Sequence, residues 1–142
     1  MFYTIVTKKL ENGKVEGACP DLPGYSFESD TEEEALEFGK EFIPGVMELY
    51  YRRKRRQIPL PSSTEGTPYY MPARVQAKIL LWNYMAENRY RVSDLAKKLG
   101  VSQTMAQRYV DLSKDRASIE AIEDALKAFG LGFTLSLGKN PT

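Results

Sequence analysis

Much acid–base catalysis at neutral pH uses histidine, and this chain of 142 residues has none. The usual proton shuttle and the commonest metal ligand are therefore missing. Serine triads, Cys–His dyads and histidine metal centres go with them. A single cysteine, Cys19, excludes an intramolecular disulfide and a cysteine-based zinc site. Carboxylate chemistry remains. Asp21, Glu28, Asp30 and Glu32 to Glu34 are the groups that would have to gather to hold two divalent ions about 4 Å apart in a metal-dependent nuclease. Most of them fall in a turn or in the first turn of a helix, where capping and solvation account for them without catalysis. The expectation is a protein that is not an enzyme, with no cofactor and no metal.

A second group, Gln103, Thr104, Gln107 and Arg108, consists of side chains able to pair with base edges or phosphates. They belong to Val92–Asp111, which has the pattern of a helix-turn-helix. Leu95, Ala96 and Leu99 share one face of a first helix. Ala96 is small where a second helix must cross closely, and Gly100 stands where the turn favours positive φ. Val101 plugs the turn, and Ser102 caps a second helix that buries Ala106, Tyr109 and Val110. In this motif the start of the second helix enters the major groove. Gln103 and Thr104 are thus placed for base contacts, Arg108 for guanine, and Gln107 for a base or a phosphate. Lys97, Lys98 and Ser102 are better placed for the DNA backbone.

The elements that must position these groups divide into two modules of opposite charge. Residues 1–50 carry 11 acidic and 4 basic side chains, net −7, whereas 73–142 carry 11 basic and 7 acidic, net +4. Between them Arg52, Arg53, Lys54, Arg55 and Arg56 are five cations in a row. That run reads either as a nucleic-acid patch or as a solvated helix end complementing the helix dipole, the second being preferred. No apolar run approaches the roughly 20 residues of a membrane span, and the start lacks a secretory pattern. A cytoplasmic location with no membrane partner is expected.

In the front module Tyr3–Thr7 alternates as a strand, Asn12-Gly13 marks a hairpin turn, and Val15–Ala18 returns. A third strand is expected near Tyr25–Phe27. A helix then starts at Asp30–Glu34, with Ala35, Phe38, Phe42, Val46 and Leu49 as its buried stripe. Pro44-Gly45 should kink that helix or make it restart. Residues 57–68 form a linker or an ordered irregular segment, and Tyr69–Met71 adds one more strand. In the back module a helix from Ala73 to about Arg89 buries Val75, Ile79, Trp82 and Ala86, with Trp82 as core anchor. Ser118 caps a last helix, Ile119–Phe129, which Gly130 ends. Leu131, Phe133, Leu135 and Leu137 line one side of a final strand. That strand either pairs with the same strand of a second copy, the preferred reading, or joins the front sheet as an edge.

Three blocks in register, Asp21–Tyr25, Ser29–Leu36 and Ile58–Ser62, resemble the signature of HicB antitoxins, and the likeness extends from Tyr3 to about Leu137. It implies an α+β architecture. A partial ribonuclease H-like βββαβ domain over 1–72, including the Pro-rich linker, precedes a mainly helical helix-turn-helix domain over 73–142 with a C-terminal dimerisation strand. The implied function is an antitoxin that blocks a HicA-type ribonuclease toxin, an enzyme that cleaves messenger RNA, and represses its own operon on operator DNA. The protein would act as a homodimer or higher oligomer. The acidic front module suits a basic nuclease site, and Asp21, Tyr25, Phe27, Glu28 and Asp30 are the candidate toxin contacts. The alternative is a ligand-sensing transcriptional regulator without a toxin partner.

Overall fold

The structure, a computed structural model, describes residues 1–113 and 117–140. Four strands, β1 (Phe2–Lys9), β2 (Val15–Ala18), β3 (Ser26–Ser29) and β4 (Thr67–Tyr70), form one antiparallel sheet in the order β3-β2-β1-β4. The Asn12-Gly13 turn connects β1 to β2. Gly13 takes φ +85°, and Asn12 Oδ1 accepts the Lys14 N–H at 2.9 Å. The strand expected after the proline segment is β4, paired to β1 with Phe2 opposite Tyr70.

Helix α1 (Glu32–Val46) is capped by Thr31, whose hydroxyl accepts the Glu34 N–H at 3.1 Å. Its buried stripe is Ala35, Gly39, Ile43 and Val46 rather than the aromatic one read from sequence. The reason is Gly39. Helix and sheet meet so closely there that a Cβ would collide with the Ile5 side chain, which rotates Phe38 and Phe42 to the flank. Phe38 and Leu49 are 45% and 47% exposed. Phe27 of β3 packs against Phe38 and Phe42 at 4.9 and 4.6 Å, its ring occupying the space beside Gly17.

Pro44 lies inside α1, and the helix changes character at Met47, just past the Pro44-Gly45 pair where a kink or restart is expected. A proline costs about 3 kcal/mol in a helix interior, but Ile43, Val46 and Met47 are 0, 5 and 0% exposed. Burial at about 1.5–3 kcal/mol per side chain outweighs that penalty. The Lys40 carbonyl, deprived of its helical donor by the proline, accepts the Tyr69 hydroxyl at a long 3.4 Å. The change of geometry comes later, in a π-helical segment over Met47–Arg52.

The chain separates into two compact units. One comprises Met1–Met47 and Pro59–Met71, with the chain from Gly138; the other comprises Glu48–Ile58 and Pro72–Leu137. Glu48–Ile58, assigned by sequence to the front module, thus packs within the second unit. Trp82 and Asn83 hold it there. Trp82 Nε1 donates to the Arg56 carbonyl at 2.8 Å, and the Asn83 amide exchanges two hydrogen bonds with the Ile58 backbone at 2.7 and 2.9 Å.

The second unit contains α2 (Ala73–Glu87), α3 (Val92–Leu99), α4 (Gln103–Gln107) and α5 (Ile119–Ala128). In α2 the buried residues are Ala77, Lys78, Ile79, Leu81, Trp82 and Met85, with Val75 and Ala86 only partly covered. Ser118 caps α5 by accepting the Ala121 N–H at 3.1 Å, and Gly130 ends it at φ +76°. Residues 131–140 form no regular element in the single chain, and the segment adds no edge to the sheet. Leu131 and Phe133 are half-buried, while Leu135 and Leu137 are 87% and 103% exposed.

Candidate functional site

An open groove of about 930 Å³ lies on the second unit. One wall is the outer face of α4, with Gln103, Thr104, Gln107 and Arg108. The rest is made by Arg52, Arg53 and Arg55, by Arg91, Val92 and Ser93, and by Trp82, Tyr90 and Asp111. Local sequence sets the α4 wall. Gly100 adopts φ +67° and ψ +36°, a left-handed turn in which glycine avoids the Cβ penalty. Val101 N–H returns to the Ala96 carbonyl at 3.0 Å, and the Ser102 hydroxyl accepts the Met105 N–H at 3.1 Å. Ala96 and Ala106, 5% and 0% exposed, let α3 and α4 pack closely. With Ala106 and Val110 inward, the four polar side chains point out.

Helix α4 is shorter than the sequence pattern suggests. After Gln107 the chain tightens into i→i−3 hydrogen bonds from Arg108, Tyr109 and Val110, so Arg108 stands at the helix end. Tyr109 is half-buried rather than part of the core.

Two other lining residues, Arg52 and Arg53, are held by Glu48, a residue that periodicity does not single out. Its side chain is 1% exposed and takes four donors: Arg52 Nε at 2.6 Å, Arg52 Nη2 at 2.5 Å, Arg53 Nε at 2.8 Å and the Leu112 N–H at 3.0 Å. The preferred reading of the basic run as a solvated helix end is therefore wrong for Arg52, which is 4% exposed and lies 5.9 Å from the Trp82 ring. Arg56 sits over Tyr51 at 4.3 Å and donates to the Tyr50 carbonyl. Glu48 keeps the Arg53 guanidinium above even its ordinary pKa by hydrogen bond and charge. Arg55 ends the helical stretch at φ +59°.

Asp111 is the carboxylate in the groove lining. Burial pushes its pKa up, but donation from the Ser113 hydroxyl and N–H, with Arg52 and Arg53 nearby, brings it below the ordinary value. The Asp111 carbonyl accepts the buried Lys78 ammonium at 2.9 Å.

Of the residues expected to contact DNA, the groove gathers Gln103, Thr104, Gln107 and Arg108. Lys97, Lys98 and Ser102 lie outside its lining. Lys97 is exposed, Ser102 is spent on capping, and Lys98 lies over the rings of Tyr90 and Phe129 at 5.6 and 5.2 Å.

The candidate toxin contacts do not share one face. Phe27 points toward α1, whereas Glu28, its neighbour along β3, points to the opposite side of the sheet and is exposed, as is Asp30. Tyr25 is half-buried just before the strand. The Asp21 carboxylate accepts the Ser62 N–H at 3.1 Å, the Ser62 hydroxyl at 2.7 Å and the Ser63 N–H at 3.3 Å. It thereby ties the proline segment to the 20–24 turn, joining two of the sequence blocks. Among the described residues, no three of the His, Cys, Asp and Glu side chains gather to hold a metal ion.

Fold and groove together define a two-unit α+β protein, with a carboxylate-rich sheet unit and an arginine-lined helical unit. No family model matches the chain. It is 36% identical over 111 residues to Antitoxin HicB 2 of Photorhabdus laumondii, covering 78% of each chain. It is 32% identical over 140 residues to Antitoxin HicB of Pseudomonas fluorescens, covering 96% of this chain and 94% of that one. With Antitoxin HicB of Escherichia coli K12 the identity is 25% over 137 residues, covering 95% and 98%. The chain belongs to the HicB antitoxin family.

Proposed function

We propose that this protein is the antitoxin of a toxin–antitoxin pair, that its sheet unit binds a HicA-type ribonuclease, and that its helical unit represses the operon on DNA. The antitoxin half rests on the curated relatives, all of which carry that name. The DNA half rests on one observation: Gln103, Thr104, Gln107 and Arg108 face a single groove together with arginines from the π-helical end. Amide and guanidinium side chains of that kind read base edges, and arginines hold phosphates. The turn at Gly100 between α3 and α4 supports a helix-turn-helix reading, and the sheet carrying one helix supports the ribonuclease H-like one. Regulation by binding, not catalysis, is the role these features suit.

On the toxin side, the acidic start of α1 and the exposed Glu28 and Asp30 at the β3 edge present carboxylates to a basic nuclease. Leu135 and Leu137 would be covered by the same segment of a second copy, making the repressor two-fold symmetric.

Co-expression with a HicA-type toxin chain, sought as a short reading frame adjoining this gene, tests the first half. A stable complex that suppresses messenger RNA cleavage is expected; a protein that purifies with a bound metabolite and no partner would favour the ligand-sensing regulator. Titration of DNA from upstream of the gene tests the second half. Arg108→Ala is expected to cost about 1–3 kcal/mol and relax sequence preference. A uniform loss across sequences would make Arg108 a phosphate contact instead.

A further inference from the structure

The five-residue basic run is not one patch. Arg52 and Arg53 are bound by Glu48, and Arg56 is folded onto Tyr51. Arg55 differs. It is exposed, it lines the groove, and it holds φ +59° at a helix end where glycine is the favoured residue. Among the described residues no ion pair joins the guanidinium of Arg55, Arg91 or Arg108 to a carboxylate, while Asp94 accepts the Arg91 backbone N–H at 2.7 Å. The carboxylate in the lining, Asp111, is engaged by Ser113. The groove therefore has a wall of base-reading side chains on α4 and unpaired guanidiniums around it.

We propose that this groove receives the sugar–phosphate backbone of duplex DNA, with Arg55 on a phosphate while α4 meets the base edges. A guanidinium fork matches a phosphate in two hydrogen bonds. Duplex DNA is favoured over single-stranded nucleic acid because the two aromatic residues in the groove lining are already packed. Trp82 is 3% exposed, and Tyr90 packs on Phe129 and Tyr84. This inference deepens the DNA-binding reading above and rests on it.

Arg89 is a built-in control. It also has φ +59° and is exposed, but it lies outside the groove lining. Arg55→Gly and Arg89→Gly each remove one positive charge and relieve the same backbone conformation. The full-length protein would be titrated by fluorescence anisotropy against a random-sequence duplex of about 30 base pairs, from about 50 to 200 mM salt. Arg55→Gly is expected to flatten the log–log salt slope by about one unit, the share of one phosphate contact. Arg89→Gly is expected to leave the slope unchanged. The melting temperature of Arg55→Gly should match or exceed that of the wild type, which separates lost contact from lost fold. Arg55→Gln gives the same slope readout should the glycine variant fail to fold.

Equal slopes for wild type and Arg55→Gly, or equal losses for both glycine variants, would overturn the groove assignment and leave the DNA reading intact. Absence of wild-type binding to any duplex would remove both. Arg55-dependent binding to single-stranded RNA without duplex binding would assign the groove to RNA and overturn the proposal.

Discussion

Glu48 and Arg52 form a two-point ion pair, Nε to Oε1 at 2.6 Å and Nη2 to Oε2 at 2.5 Å, with the side chains 1% and 4% exposed. The carboxylate also receives the Leu112 N–H, 64 residues away in sequence. One acid thus joins the π-helical segment to the chain that follows α4, and both segments contribute residues to the groove lining.

Removing Glu48 should be among the most damaging single changes in the second unit. Glu48→Ala leaves Arg52 charged and buried and the Leu112 donor without its acceptor, an expected loss of about 3–5 kcal/mol. Urea denaturation measures it. Glu48→Leu combined with Arg52→Met should be more stable than Glu48→Leu alone, because no unpaired buried charge remains. Equal stability of the two would show that Arg52 escapes to solvent.

Asp111 gives the second unit an acid limb. Its folded pKa lies below the unfolded value of about 3.9, so its stabilisation is fully present above that pH and is lost as pH falls through the folded pKa. Asp111→Asn should flatten the fall in stability below about pH 4, as followed by denaturant titrations at stepped pH.

Tyr3 and Cys19 act at the other end of the scale. Burial, then the charges of Cys19 and Asp21, pushes the Tyr3 phenol well above its ordinary range; burial also raises the Cys19 thiol. Each stabilises in its protonated form, so the contribution is fully present below the unfolded pKa, about 10 for Tyr3 and about 8.5 for Cys19, and is lost as pH rises from there through the folded value. Tyr3→Phe should flatten the loss of stability above about pH 10, at a neutral-pH cost of about 0.5–1.5 kcal/mol for the hydrogen bond to the Pro59 carbonyl. Native Cys19, 2% exposed, should react with iodoacetamide far more slowly than in urea.

Gly39→Ala tests the contact between α1 and β1. Alanine would ordinarily favour a helix over glycine by about 1 kcal/mol, yet its Cβ would strike the Ile5 side chain. Overpacking should win, with a net loss of about 1–3 kcal/mol. Ile5→Val in the same protein should recover part of it, so the double variant falls short of the sum of the singles.

Leu135→Glu with Leu137→Glu should leave the far-UV circular dichroism spectrum unchanged, because both side chains are exposed in the single chain. If the segment pairs two copies, sedimentation equilibrium will show the double variant shifted to monomer. An unchanged mass would remove these leucines from the interface.

Sequence alone determined the parts whose cause is local. Gly13, Gly100 and Gly130 take positive φ where the turns were read, Ser102 and Ser118 cap their helices, and the strands form close to the alternating runs. Each depends on a residue's own backbone preference or on neighbours within a turn. The outward set on α4 was legible for the same reason, since Ala106 and Val110 define its inner side. Only the tertiary structure decided which charges meet. Glu48 became the acceptor for Arg52, Arg53 and Leu112, Asp21 accepts from Ser62 and Ser63, and Arg55 lines the groove with no ion pair among the described residues. It also moved the α1 stripe onto Gly39 and carried the helix past Pro44. Burial of a charge and closeness of packing depend on partners tens of residues away, and no local pattern in the chain specifies those distances.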